Sequence, residues 1–129
     1  MIRLLDKLKK KYKIKKQNIL GHSDISPDRK KDPGEKFPWK KLAKKKLCKW
    51  HTLEESKIKF YRYLKLDKNN EKLFFKNLSK FGYSEIFSVR NRYKKIDLIK
   101  AFQRRFRQSL INGKIDKECL LISQNLLKN

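Results

Sequence analysis

The chain has 129 residues, room for one ordinary domain or two small ones, and carries 37 Lys and Arg against 13 Asp and Glu, a net charge of +24. That balance suits an anionic partner such as nucleic acid, an acidic membrane face or an acidic polymer, and equally a lysine-rich surface with no such partner, while 12% aromatic residues and regular Leu/Ile/Phe spacing exclude a wholly disordered chain. Two distant cysteines, Cys48 and Cys119, exclude a disulfide framework, and no stretch approaches the roughly 20 apolar residues that span a bilayer.

The opening MIRLLDKLKKKYK lacks the apolar core of a signal peptide, so the expectation for the chain as written is a cytoplasmic location. Ile2, Leu5, Leu8 and Tyr12 recur at helical spacing among lysines and predict an amphipathic helix. Residues 18–21 (NILG) read as a short buried strand, with the basic helix packed on a sheet, an α/β pattern. Residues 27–38 form a loop rich in Pro, Gly and Asp. Pro38 opens a second helix carrying Trp39, Leu42, Ala43 and Leu47, to about Lys49. Thr52 with Glu55 three positions on is a capping-box pattern, opening a third helix with Ile58, Tyr61 and Leu64.

Residues 65–70 (KLDKNN) read as a linker. Beyond it three helical periods follow. The first carries Leu73, Phe74, Leu78 and Phe81 and ends at Gly82; the second carries Ile96, Ile99, Phe102 and Phe106; the third, after the Asn112-Gly113 turn, is capped by Asp116 and carries Leu120, Leu121, Ile122 and Leu127. The expected fold class is an α/β fragment over 1–66 followed by a small all-α three-helix domain over 67–129, mostly helical overall.

Within 19–39, ILGHSDISPDRKKDPGEKFPW, His22 and Asp32 place a nitrogen and an oxygen donor ten positions apart, each at or beyond the end of the expected strand. Zinc accepts such a mixed set, and a catalytic zinc keeps one position open for water. Two donors are too few, and by spacing alone His22 reads equally as a surface histidine. Lys30 suits the stabilisation of an oxyanion or is one more solvated lysine. Cys48 and His51 form a Cys-x-x-His that could bind metal in principle. Arg104, Arg105 and Arg107 beside Phe102 and Phe106 read as a basic face, either solvated above two core rings or binding an anionic glycan or nucleic acid.

GHSDISPDRKKDPG followed by FPW resembles the signature of the zinc-dependent N-acetylmuramoyl-L-alanine amidases of the AmpD/AmiD type, the amidase_2 class related to peptidoglycan recognition proteins. Gly-His, Ile-x-Pro, Arg-Lys, Asp-Pro-Gly and an aromatic Pro-Trp entering a helix match in order. FGY (81–83), IKAFQRRFR (99–107) and NGKID (112–116) resemble the helical peptidoglycan-binding-type domain of the AmiD branch. The resemblance implies His22 as the second histidine ligand of Zn2+, Asp32 as its carboxylate ligand and Lys30 as the residue steadying the tetrahedral intermediate. It implies peptidoglycan or a muropeptide as substrate, cleaved at the amide between the lactyl group of N-acetylmuramic acid and L-alanine.

In that family the first histidine ligand and a glutamate general base lie on earlier sheet elements. The chain departs from the pattern by beginning one helix before the motif. The expectation is therefore the C-terminal part of an amidase with half a metal site, inactive unless assisted, with a separate N-terminal amidase polypeptide as the partner that would complete it. Whether the parent enzyme is exported stays open. The competing readings are a non-catalytic peptidoglycan-binding module and a small basic nucleic-acid-binding protein.

Overall fold

The computed structural model describes residues 1–27, 29–83 and 92–128, with the backbone alone at 92–94; Asp28 of the motif lies outside the described residues. Among the described residues seven α-helices run in chain order: α1 Ile2–Tyr12, α2 His22–Ile25, α3 Trp39–Lys44, α4 Glu55–Ile58, α5 Lys68–Phe81, α6 Arg92–Phe106 and α7 Lys117–Lys128, with 3-10 turns at Lys16–Asn18 and Lys59–Tyr61.

The last three helices follow from local chemistry. Asp67 caps α5 by accepting the Asn70 N–H at 2.8 Å, and Gly82, at φ +123°, ends it. Asp116 accepts the Cys119 N–H at 3.0 Å and caps α7. Gly113 sits at φ +71° between α6 and α7, where a Cβ would come within 3.1 Å of Ile96 Cγ2 and Lys100 Cε, so the turn needs glycine for both reasons. Gln103 organises that turn from inside: its Oε1 accepts the N–H groups of Asn112 (3.0 Å) and Gly113 (2.9 Å), and its Nε2 donates to the Lys114 carbonyl (2.9 Å). Phe74, Leu78, Leu98, Phe102, Cys119 and Ile122 fill the core these helices share. Phe74 and Phe102 meet edge to face at 5.2 Å, the arrangement that ring quadrupoles favour.

A second cluster holds Trp39, Leu42, Leu47 and Cys48, with Ile2, Leu5, Ile19 and Phe37 against it. Trp50 touches both clusters, its ring 5.6 Å from Phe106. Helix α1 contributes Ile2 and Leu5 and leaves Leu4, Leu8 and Tyr12 exposed.

The chain is mostly helical, and the α/β part of the expected fold is corrected. No strand occurs among the described residues; the sole ladder contact is an isolated antiparallel bridge between Lys65 and Asp116. Ile19 is extended (φ −91°, ψ 99°), but it follows a 3-10 turn and has no neighbouring strand, and a strand is defined by the partner that takes its hydrogen bonds. Helix α3 stops at Lys44 rather than near Lys49, as Lys46 turns to φ +57°. Thr52 does not cap the next helix. Its N–H donates to Asn125 Oδ1 at 2.8 Å, tying the segment to α7, and α4 starts at Glu55.

The basic face is corrected as well. Arg104, Arg105 and Arg107 are buried, and Arg107 ion-pairs inside the protein with Asp116 and Glu118. None of the described helices is long and apolar enough to cross a membrane.

His51 is buried against Trp50, its ring stacked at 5.2 Å, and neither ring nitrogen has a partner in hydrogen-bonding geometry. Burial is the main cause that lowers its pKa, ahead of opposing contributions from Glu55 and the nearby Leu53 backbone. The unfolded chain therefore binds a proton at His51 that the folded chain refuses. Stability is full above the unfolded histidine value of about 6.5 and falls as the pH drops below it. Denaturation midpoints between pH 7.5 and 5, measured for wild type and His51→Phe, test this: the expected result is a decline on acidification that is smaller in the variant.

Candidate functional site

The motif loop is built on a short helix where sequence predicts only loop. The Gly21 N–H donates to Asp24 Oδ2 at 2.9 Å while the Asp24 N–H returns to the Gly21 carbonyl at 3.1 Å, a reciprocal pair that starts α2. The Ser23 N–H donates to the Asp32 carbonyl at 2.9 Å and draws the two ends of the loop together. Gly21 permits this approach, since a Cβ there would collide with Pro33 Cδ and crowd Trp39 Cζ2 at 3.1 Å. The Asp32–Pro33 peptide bond is cis.

In consequence His22 Nδ1 and Asp32 Oδ2 lie 2.5 Å apart, both largely exposed. The His22 hydrogen bond is the main cause that holds the Asp32 carboxyl below its usual pKa, with smaller help from the charge of Lys30. Beside the pair runs a groove of about 380 Å³ walled by Leu5, Ile19, Leu20, Pro33, Phe37 and Trp39.

The loop is pinned to α6 by a buried polar hub. Asp24 Oδ1 accepts the Tyr83 hydroxyl at 2.8 Å, and Asp24 Oδ2 lies 3.6 Å from Arg105 Nη1. Arg105 also donates to the Ile19 carbonyl at 3.3 Å and stacks 3.4 Å above the Trp39 ring. Gln108 Nε2 donates to the Phe37 carbonyl at 2.7 Å. Burial raises the Tyr83 pKa far above its usual value and keeps the phenol a donor. Sequence reasoning placed Arg105 on a basic face and gave no role at this site to Asp24 or Tyr83; the one local signal was an acid three residues after Gly21, the spacing of a helix start.

Lys30 lines a cleft between the loop and α6, and its charge also reaches Asp32. Cys48 is buried with its thiol directed to the Trp39 carbonyl at 3.5 Å, and burial raises its pKa. Neither it nor His51 joins His22 and Asp32: among the described residues no three His, Cys, Asp or Glu side chains converge as a metal site.

The donor set can be tested against zinc directly. A tetrahedral ion holding an imidazole nitrogen and a carboxylate oxygen sets them roughly 3.4 Å apart, so the present hydrogen bond would open by about an ångström. The two exposed side chains fit the ion in kind and spacing. They are two of the three protein ligands that a catalytic zinc uses.

No family model matches the chain. It is 32% identical over 120 residues to N-acetylmuramoyl-L-alanine amidase AmiD of Escherichia coli (strain K12), covering 92% of this chain and 42% of AmiD. The structure superposes on E. coli AmiD in complex with anhydro-N-acetylmuramic acid-L-Ala-D-gamma-Glu-L-Lys with a TM-score of 0.82, covering 98% of this chain and 49% of AmiD. It superposes on AmpDh3 from Pseudomonas aeruginosa with a TM-score of 0.79 at 26% identity, covering 98% of this chain and 50% of AmpDh3, and equally well on AmpDh3 in complex with anhydromuramic pentapeptide. The chain thus spans about half the length of the proteins it matches.

Proposed function

We infer the function from one premise: this chain is a relative of the AmpD/AmiD-type N-acetylmuramoyl-L-alanine amidases, matched over about half of their length. It acts in hydrolysis of the amide between N-acetylmuramic acid and the L-alanine of its peptide, with His22 and Asp32 as two ligands of a zinc ion. The observation that carries this is the convergence of His22 Nδ1 and Asp32 Oδ2 to 2.5 Å inside the amidase-like motif. The anhydromuramyl peptides bound to AmiD and AmpDh3 support the substrate class.

A zinc ion supplies Lewis acidity, polarising a carbonyl and making water acidic enough to attack near neutral pH. The chain's own residues do the rest of this half of the work. The His22 hydrogen bond favours the ionised form of Asp32 and lowers its pKa. The Gly21–Pro33 contact and the hub at Asp24 hold both donors in place. The groove walled by Leu20, Phe37 and Trp39 offers an apolar surface beside them. Among the described residues no third His, Cys, Asp or Glu joins them. The nucleic-acid reading loses its arginines, which are buried in the protein.

Zinc titration of the purified chain tests the site. Two donors give weak binding, and His22→Ala or Asp32→Ala weakens it by roughly tenfold or more. Zinc affinity unchanged by both substitutions would overturn the assignment. Cleavage of an anhydromuramyl tripeptide, followed by mass spectrometry with the complementary half of AmiD added, tests the reaction: Asp32→Ala abolishes any cleavage that wild type supports.

A further inference from the structure

The turn after α4 carries its apolar side outward. Phe60 is 84% exposed, Tyr63 71%, Leu64 49% and Tyr61 37%, so four of the five residues 60–64 offer large apolar surface to solvent. Single exposed apolar residues are ordinary, whereas a contiguous group marks a contact surface. The turn is held firmly in this attitude. Ile58 is buried in the core beneath it. Arg62, the inward residue of the five, grips Glu118 through two hydrogen bonds at 2.7 and 2.9 Å and donates to Ser109 Oγ at 2.9 Å. The Leu64 carbonyl accepts the Lys117 N–H at 2.9 Å. Tyr63 stands at φ +70°, a left-handed conformation that a residue other than glycine keeps where its surroundings impose it. The rim is basic: Lys59, Lys65 and Lys117 are exposed, and Lys117 Nζ lies 4.8 Å from the centre of the Tyr61 ring. The nearby acids are engaged, Glu54 with Lys57 at 3.1 Å and Asp67 in capping α5.

We propose that residues 59–65 form a docking turn for an anionic lipid bilayer. Phe60 and Leu64 enter the boundary between headgroups and acyl chains, Tyr61 and Tyr63 lie at headgroup level, and the lysines meet lipid phosphates. The side chains select this occupant. Single-stranded nucleic acid stacks its bases on rings and gains nothing from Leu64. A neutral glycan has no use for the lysines. A bilayer with anionic headgroups uses all of them, and the net charge of +24 draws the protein to it. Docking at this turn involves neither His22 nor Asp32, so it stands apart from the amidase reading.

The test co-sediments the whole 129-residue chain with vesicles of pure phosphatidylcholine and of phosphatidylcholine with one-third phosphatidylglycerol. The expected result is binding to the anionic vesicles and little to the neutral ones. Charge alone would attract so basic a protein, so the deciding variants leave charge unchanged. Phe60→Ser and Tyr63→Gly together weaken binding about tenfold; glycine adopts φ +70° freely, so the turn keeps its shape. Lys59→Gln and Lys65→Gln weaken it about fivefold each. In Phe60→Trp the added indole fluorescence shifts to shorter wavelength on anionic vesicles. A Phe60→Ser, Tyr63→Gly variant that binds like wild type, or an indole whose emission does not move, overturns the proposal. So does loss of binding on Leu4→Ser with Leu8→Ser while the turn variant still binds, which would place the contact on α1. Retention on single-stranded DNA that depends on Phe60, with no vesicle binding, would reassign the turn to nucleic acid and equally refute membrane docking.

Discussion

Arg107→Leu lowers the free energy of unfolding by about 3–5 kcal/mol, as removal of one member of a buried ion group does. Arg107 is 3% exposed. Its Nη1 lies 2.5 Å from Asp116 Oδ2 and 3.4 Å from Glu118 Oε2, and its Nε donates to the Leu110 carbonyl at 3.0 Å. Glu118 keeps a second partner, since Arg62 holds it in a two-pronged pair at 2.7 and 2.9 Å. Asp116 has no second cation in the ion pairs of the described residues and is left buried without its partner while it caps α7. The loss therefore falls mainly on Asp116. Urea denaturation followed by circular dichroism measures it, and Arg107→Leu combined with Asp116→Asn recovers part of the loss because the stranded charge is gone. A single-variant loss under about 1 kcal/mol, the range of an exposed ion pair, would refute the buried network.

Asp24→Ala is the second large effect, also about 3–5 kcal/mol, and it reaches the metal-binding pair. It strips the Gly21 N–H, the Tyr83 hydroxyl and Arg105 of their shared acceptor at once. Arg105, 2% exposed, is left with the Ile19 carbonyl and the Trp39 ring. The motif loop then detaches from α6, and His22 loses its fixed distance from Asp32. Asp24→Asn, which keeps an acceptor oxygen but no charge, falls between wild type and Ala. Thermal melts give the stability, and the NMR shifts of the His22 ring report whether the pair holds. Full destabilisation with an unmoved His22 ring would show that Ser23, Gly21 and Pro33 position the pair without the hub.

These two residues also mark where sequence reading stops. Arg107 sits in a run of three arginines among phenylalanines, which by composition describes a solvated face. Its partners Asp116 and Glu118 follow the Asn112-Gly113 turn, and only folding of α7 against α6 brings them to it. Arg105 pairs with Asp24 across 81 positions of chain. No periodicity or spacing encodes that distance.

The amidase-like motif was legible because its residues are consecutive and its spacing is chemical. Three helices of the second half were legible because a helix is written by local periodicity, by caps such as Asp67 and Asp116, and by stops such as Gly82. The misread segment at residues 18–21 has the composition of a strand, yet composition cannot supply the neighbour that makes one. Thr52 has the pattern of a cap, yet Asn125 takes its N–H.

By itself, then, the amino-acid order determined the helices of the second half, the pairing of His22 with Asp32 as candidate donors, and the relationship to the amidases. Tertiary structure alone decided that the arginines of α6 turn inward and that Asp24 ties the motif to that helix. The division has a physical cause. Helix periods and caps are set within a few residues of chain, whereas burial and ion pairing depend on which distant surfaces meet.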